Sequence, residues 1–237
     1  MFIKFGAFKQ QRYKGIFEMA AHGLHEAAAA AAKPYIEKCH VLDVGCGEGA
    51  FARRLLDMGC TVDVCDLNTA QIKISGVNKI KADLNQPDFE TKIPRLYDAV
   101  TALEITEHIE NPWKLIRDIA AVLKPGGILV LSTPNIASFP SRLRFFLRGT
   151  FIAFERGDLK HGHISAMPYF QMEYMFSRLK FQILKKTCGG TLPLFHFSHL
   201  SRFTVLRNTI LPLLIPFMTG PKYGRALIYI LKKKSDD

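Results

Sequence analysis

Val41-Leu-Asp-Val-Gly-Cys-Gly-Glu-Gly49 is the stretch that decides the fold. His40–Val44 is a short apolar run that stops at a glycine, the pattern of a buried strand. Gly49–Met58 then has helical periodicity through Phe51, Leu55 and Leu56, and it stops at Gly59. A glycine-rich turn between strand and helix permits strained dihedrals and lets a ligand approach the backbone. Taken alone, it also fits a plain tight turn.

Moving outward, the alternation continues. Thr61–Cys65 is β-rich and is closed by Asp66. Gln71–Val77 reads as a short helix, Lys79–Ala82 as a short strand and Tyr97–Leu103 as a longer one. Pro112–Leu123 is an apolar-striped helix, Pro125-Gly126-Gly127 a turn, and Ile128–Ser132 a fully apolar strand. Strands alternating with helices predict a doubly wound parallel α/β sheet, layered α/β/α. Before the loop, Arg12 to Pro34 reads as one helix, 12–33, with alanines at 27–32 and Pro34 as its stop. After Asn135 come a basic amphipathic segment at Ser138–Arg148, an irregular stretch to Ala166 and a helix at Pro168–Leu179. Strands follow at Phe181–Lys186 and Ala226–Lys232, with a proline-broken apolar stretch between them at Phe203–Met218. No linker divides the chain, so one domain over 1–237 is expected, with 136–166 as a basic lid or insertion.

Nearly half of the 237 residues are hydrophobic, enough for a sizeable core, and the composition is not that of a disordered or collagen-like chain. The five cysteines, Cys39, Cys46, Cys60, Cys65 and Cys188, contain no CxxC spacing and read as reduced thiols. Neither a signal peptide nor an apolar run long enough to span a bilayer is visible. A cytoplasmic protein is expected, or one resting peripherally on the inner membrane surface. The net charge of +11 is unevenly placed. Residues 1–135 balance 16 basic against 16 acidic side chains, whereas 136–237 carry 16 against 5. The second half is therefore expected to face something anionic.

Three carboxylates sharpen the reading of the loop. Asp66, 21 residues beyond Gly45, can accept hydrogen bonds from both ribose hydroxyls of a nucleoside. Asp83, in Ala82-Asp83-Leu84, follows the next strand, where it can meet an adenine amino group. Asp43 lies within the motif and would repel a pyrophosphate. The order Gly45-x-Gly47-x-Gly49 also departs from the dinucleotide pattern. Both features suit a cationic cofactor without phosphate.

Together DVGCGEG, Asp66, Ala82-Asp83-Leu84, Asp98 and Leu123-Lys-Pro-Gly-Gly127 resemble the class I S-adenosylmethionine-dependent methyltransferases. The resemblance implies a Rossmann-like, seven-stranded mixed sheet whose last strand is antiparallel. It implies that Asp43, Gly45, Cys46 and Gly47 lie against the methionine part of S-adenosylmethionine. Asp66 with Leu67 would take the ribose, Asp83 with Leu84 the adenine, and Glu104 would border the cofactor.

Glu104-Ile-Thr-Glu107-His108 follows the fourth strand at the edge where such sheets bind ligands. If the chain turns helical there, the two carboxylates and the imidazole share a face. Two uses then fit. His108, with Glu107, can serve as a general base toward an acceptor hydroxyl. Alternatively Glu104, Glu107, His108 and His163, or His161 in its place, can bind a divalent metal such as Mg. A purely structural role remains the third option. Glu104-x-x-Glu107-His108, Ser132-Thr-Pro-Asn135 and His163, ten residues before Glu173, resemble the O-methyltransferases of ubiquinone biosynthesis. The same element resembles small-RNA 2′-O-methyltransferases, in which the equivalent residues hold a metal. Ser141–Gly149 is similar to bacterial methyltransferases associated with surface-glycan synthesis.

Arg142, Arg144 and Arg148 interleave with Leu143, Phe145, Phe146 and Leu147. Such a segment suits an anionic membrane surface or a lid over an apolar pocket. Phe195–Met218 is a second apolar stretch, in which His196 and His199 read as polar edge residues. The leading expectation is O-methylation of a hydroxyl on a small-molecule, lipid-linked or glycan acceptor. RNA 2′-O-methylation is the alternative, disfavoured by the density of phenylalanine and leucine among the basic residues. A cofactor-binding module without catalysis is the third reading.

Overall fold

The computed structural model describes residues 11–87, 89–190 and 218–235. Its centre is β3 (His40–Val44), flanked by β4 (Thr61–Asp66) and β6 (Tyr97–Leu103), both parallel to it. Outward lie β5 (Asn78–Lys81) on one side and β7 (Leu123–Pro134), β9 (Ala226–Lys233) and β8 (Phe181–Gly189) on the other. The order is β5-β4-β3-β6-β7-β9-β8, with β9 antiparallel to both of its neighbours. This is the expected seven-stranded mixed sheet, with the last strand inserted antiparallel.

Both faces of the sheet are covered, which is why its central strands are mostly apolar on both sides rather than alternating. Leu42 and Val44 face a core shared with α3 (Pro112–Val122) and α6 (Tyr169–Arg178). Val41 faces the opposite core, with α1 (Leu24–Ile36) and α2 (Ala50–Asp57). Strand β9 serves both, with Ile228 and Ile230 on one side and Leu227, Tyr229 and Leu231 on the other. Each such side chain contributes about 1.5–3 kcal/mol by leaving water. Truncating Leu42 to alanine would cost about 2–5 kcal/mol.

Several local expectations are corrected. Residues 12–33 are not one helix. Strands β1 (Arg12–Tyr13) and β2 (Ile16–Phe17) form a hairpin, and α1 starts only at Leu24. The positive φ of Lys14 and Gly15 turns the hairpin, and Gly23, also at positive φ, opens the helix. Pro34 sits inside α1, close enough to its end for the lost amide bond to be tolerated. No helix covers 71–77. A short 3-10 turn, Thr69–Gln71, precedes an extended segment that buries Ile72 and Ile74, a two-residue spacing. Pro125-Gly126-Gly127 lies within β7, beside a register irregularity opposite Tyr97 and Ala99. The irregular stretch after Gly149 contains a short helix, α5 (Arg156–Leu159).

The basic segment folds as α4 (Phe139–Arg148). Much of its charge is used internally. Arg142 donates to the carbonyls of Ala137 and Thr219, and Arg144 pairs with Glu155. Phe145, Phe146 and Leu147 remain exposed. The apolar stretch at Phe203–Met218 lies, apart from Met218, outside the described residues, as do Phe195, His196 and His199. Among the described residues no helix is long and apolar enough to cross a membrane.

Candidate active site

The strand order reverses between β3 and β6, so the crevice at their carboxyl ends is where such a sheet takes ligands. The glycine loop leaves β3 there. Gly45, Gly47 and Gly49 all have positive φ, conformations that side-chain-bearing residues rarely adopt. The loop is tied to the next strand, since Gly45 N–H donates to the Cys65 carbonyl (2.7 Å) and Gly47 N–H to Asp66 Oδ2 (2.9 Å). A Cβ on Gly45 would lie 2.0 Å from Ile105 Cδ1.

Asp43 is buried. Thr101 Oγ1 donates to its Oδ1 (2.5 Å), and Oδ2 has no hydrogen-bond partner. Burial pushes the carboxyl up to about 7, with the Asp66 charge adding to the rise and the Thr101 bond opposing it. A buried carboxylate beside the glycine loop suits a cationic group, and so fits the ammonium end of S-adenosylmethionine. Asp66 also accepts from Asn68 N–H and Gln71 Nε2, and Asp83 accepts from Asn85 N–H. Strands β3, β4 and β5 are neighbours, so Asp43, Asp66 and Asp83 follow one another along the same sheet edge. Leu67 is exposed, whereas Leu84 packs against the core.

Two cavities meet at this edge. One, of about 30 Å³, is bounded by Asp43, Gly45, Cys46, Gly47 and Leu103. The other, of about 360 Å³, is lined by Glu104, Glu107, His108, His163 and Arg225. The N-terminal hairpin and its continuation through His22 form a strap along both. Phe17 N–H donates to Glu48 in the loop (3.1 Å). Glu18 is buried and accepts from Arg54 of α2 (2.5 Å). Tyr13 and Lys14 both reach Asp57, each at 2.8 Å.

The ExxEH element is not a helical face. Glu104 follows β6 at φ 53, and residues Thr106–His108 form one 3-10 turn. The fold still gathers part of the expected set. One ligand atom each from Glu107, His108 and His163 lie within 4.8 Å of one another. Glu107 is buried and its Oε1 has no partner. Burial, and then the neighbouring Glu104 charge, hold its carboxyl well above the usual range. His163 Nδ1 lies 2.7 Å from the Ala153 carbonyl, which leaves Nε2 as the free nitrogen. The backbone N–H groups of Ile164 and Ser165 donate to the Glu107 carbonyl (2.8 and 3.0 Å), stitching the His163 segment to the turn. Burial lowers the pKa of His108, and His163 lowers it further. Glu104 stands outside this set of three, and its carboxylate accepts from Ser132 Oγ (3.0 Å). His161 is not a member either, and Glu173 is engaged elsewhere, with Lys186.

A methyltransferase-domain family matches residues 12–186, most of the chain. The chain is a class I S-adenosylmethionine-dependent methyltransferase. The sequence of this methyltransferase is 34% identical over 112 residues to a ubiquinone biosynthesis O-methyltransferase of Xanthomonas campestris, covering 44% of this chain and 47% of that one. It is 36% identical over 105 residues to the same-named enzyme of Rickettsia typhi, covering 42% and 43%. The matches thus span less than half the length of these relatives. A methyltransferase from Archaeoglobus fulgidus superposes with a TM-score of 0.58 at 21% identity, over 88% of this chain and 94% of that one. The N-methyltransferase NodS of Bradyrhizobium japonicum superposes at 0.54 and 13% identity, over 89% and 94%. The fold therefore serves nitrogen acceptors as well, and the acceptor atom must be argued from the site itself.

Two parts of the methyltransferase site were not anticipated. Phe17 and Met19 gave no signal, because a two-residue strand and the loop after it carry too little periodicity to read. Arg225 lies far along the chain and reaches the site only because β9 inserts beside β7.

Proposed function

We propose that this methyltransferase transfers the methyl group to a hydroxyl of a small-molecule acceptor seated in the larger cavity. The observation that carries the reading is the grouping of Glu107, His108 and His163 within 4.8 Å, with the Glu107 Oε1 buried and unpartnered. One carboxylate and two imidazoles in such reach suit a divalent cation. Glu107, His108 and His163 would hold the cation, and all three line the larger cavity. When bound, the cation would lower the pKa of an acceptor hydroxyl. Two imidazoles favour a transition metal over Mg, which prefers oxygen ligands.

The chain's own residues do the rest. The loop and Asp43 hold the donor at the switch point, and the strap excludes water above it. The acceptor oxygen attacks the methyl carbon in line. The O–C bond forms as the S–C bond breaks, and that electron pair stays on sulfur. The hydroxyl proton leaves to solvent or to a nearby base. Orienting the two reactants is the main contribution to rate.

Metal analysis of the purified protein, with turnover measured before and after chelation, tests the reading. Loss of turnover on chelation, restored by a transition metal, is expected. Chelator-insensitive turnover would leave His108 as a simple base and remove the metal from the proposal.

An apolar or lipid-linked acceptor fits the exposed Phe145, Phe146 and Leu147 at the end of α4, beside Arg148. Cosedimentation with anionic vesicles tests this, with Phe146→Asp expected to weaken it. Equal binding by both proteins would argue for an acceptor taken from water.

A further inference from the structure

Two of the residues lining the small cofactor cavity also line the large acceptor cavity, Phe17 and Met19. A methyl group passing from donor to acceptor must cross where the two cavities meet. From this juxtaposition we propose that the Phe17 ring packs against the sulfonium of S-adenosylmethionine and distinguishes the charged donor from its neutral product.

The position of Phe17 is built rather than incidental. Its backbone N–H is clipped to Glu48 of the glycine loop (3.1 Å), so the ring moves with the loop that holds the donor. The next residue, Glu18, is buried and held by Arg54. On its other side, β2 is paired with β1, whose Tyr13 is fixed to Asp57. Met19 lies against the loop itself, with its Sδ 3.0 Å from where a Cβ on Gly47 would be. The Arg12 guanidinium lies over the Phe17 ring, 6.0 Å from its centroid.

An aromatic face attracts a cation through its quadrupole, and more strongly where water is excluded. The attraction exists only while sulfur carries its third substituent. Once the methyl has moved, the sulfur is a neutral thioether and the attraction is gone. Such a contact stabilises the ground state, so it does not by itself speed the chemical step. Its consequence is exchange, because product leaves a site that still favours donor.

The test compares the affinities of S-adenosylmethionine and S-adenosylhomocysteine, two ligands that differ by the methyl and the charge, in the full-length protein. Phe17→Leu keeps an apolar side chain without the ring. Its affinity for the donor is expected to fall about 3- to 30-fold, with product affinity nearly unchanged. Phe17→Tyr, which keeps an aromatic face, is expected to preserve the wild-type ratio. A parallel loss for both ligands in Phe17→Leu would make Phe17 a mere cover and overturn the proposal. So would an unchanged ratio, or a Phe17→Tyr protein that behaves like Phe17→Leu.

Discussion

Glu107 and His163, 56 positions apart in the chain, place ligand atoms within 4.8 Å of each other, and the Glu107 Oε1 is buried without a hydrogen-bond partner. A buried polar atom left unpaired costs stability unless something fills the gap. The neighbouring Glu104 is in a different situation, since it already accepts from Ser132 Oγ.

Metal binding should therefore divide the ExxEH element. Glu107→Gln and His163→Ala are expected to weaken Co²⁺ binding by more than about 100-fold, given that even residues supporting metal ligands contribute 10- to 100-fold. Glu104→Gln should bind Co²⁺ as the wild type does. Visible absorption of the Co²⁺-loaded proteins reads this directly. Loss of the metal in Glu104→Gln would restore it to the ligand set.

The pH dependence of stability follows from Asp43. Burial raises its carboxyl to about 7 from an ordinary 3.8. Between these values the folded chain retains a proton that the unfolded chain releases, so stability falls as pH rises through that window. Asp43→Asn removes the titration. Its Tm relative to wild type, both free of cofactor, should increase from pH 4.5 to 7 and level off above. A gap independent of pH would mean that Asp43 is ionised in the fold.

The same proton should report cofactor binding. A cationic donor favours the ionised carboxylate, so binding near pH 6 should release a proton. Calorimetry in two buffers of different ionisation enthalpy measures it. Release is expected to vanish in Asp43→Asn and at pH 9. Equal release by the mutant would assign the proton to another group.

Opening of the strap should depend on Arg54, which pairs with both Glu18 and Glu26. Arg54→Gln leaves Glu18 buried without its partner, a destabilising change worth about 3–5 kcal/mol for a fully buried pair. The loss is expected to be local. Amide exchange in residues 11–23 should quicken, and S-adenosylmethionine should dissociate faster, with little change in exchange at β6 and β7. Unaltered exchange in the strap would show that its other contacts suffice.

Substitution at Gly45 should act through the backbone. Its φ of 66 and the 2.0 Å approach of a new Cβ to Ile105 strain any side chain there. Gly45→Ala is expected to lose about 1–3 kcal/mol of stability, and most of its cofactor affinity. Denaturant unfolding and equilibrium binding measure the two separately.

The parts legible in the sequence are those written in local patterns. Val41–Gly49 announced a strand, a glycine-rich turn and a helix, and all three stand where expected. Tyr97–Leu103 forms β6 with the expected limits, and Ala226–Lys232 lies within β9. The strap was illegible because its fold rests on a turn at Lys14-Gly15 and on contacts with α2 and the loop, not on periodicity. The alanines at 27–32 promoted a longer helix than the chain makes. At the site, Glu104, Glu107 and His108 were legible as a cluster. Their division was not, because it rests on distances in the fold, where Glu104 has positive φ and meets Ser132 of the neighbouring strand.

By itself, the sequence determined that a parallel sheet would carry a glycine loop with Asp43, Asp66 and Asp83 at one edge. It could do so because burial on both faces of the sheet and the dihedrals glycine permits are local requirements that residue types satisfy directly. The tertiary structure alone decided which of the four expected ligands meet, where the strap lies and which side chains border both cavities. Those outcomes depend on distances between segments far apart in the chain, set by sheet order and packing that no local pattern encodes.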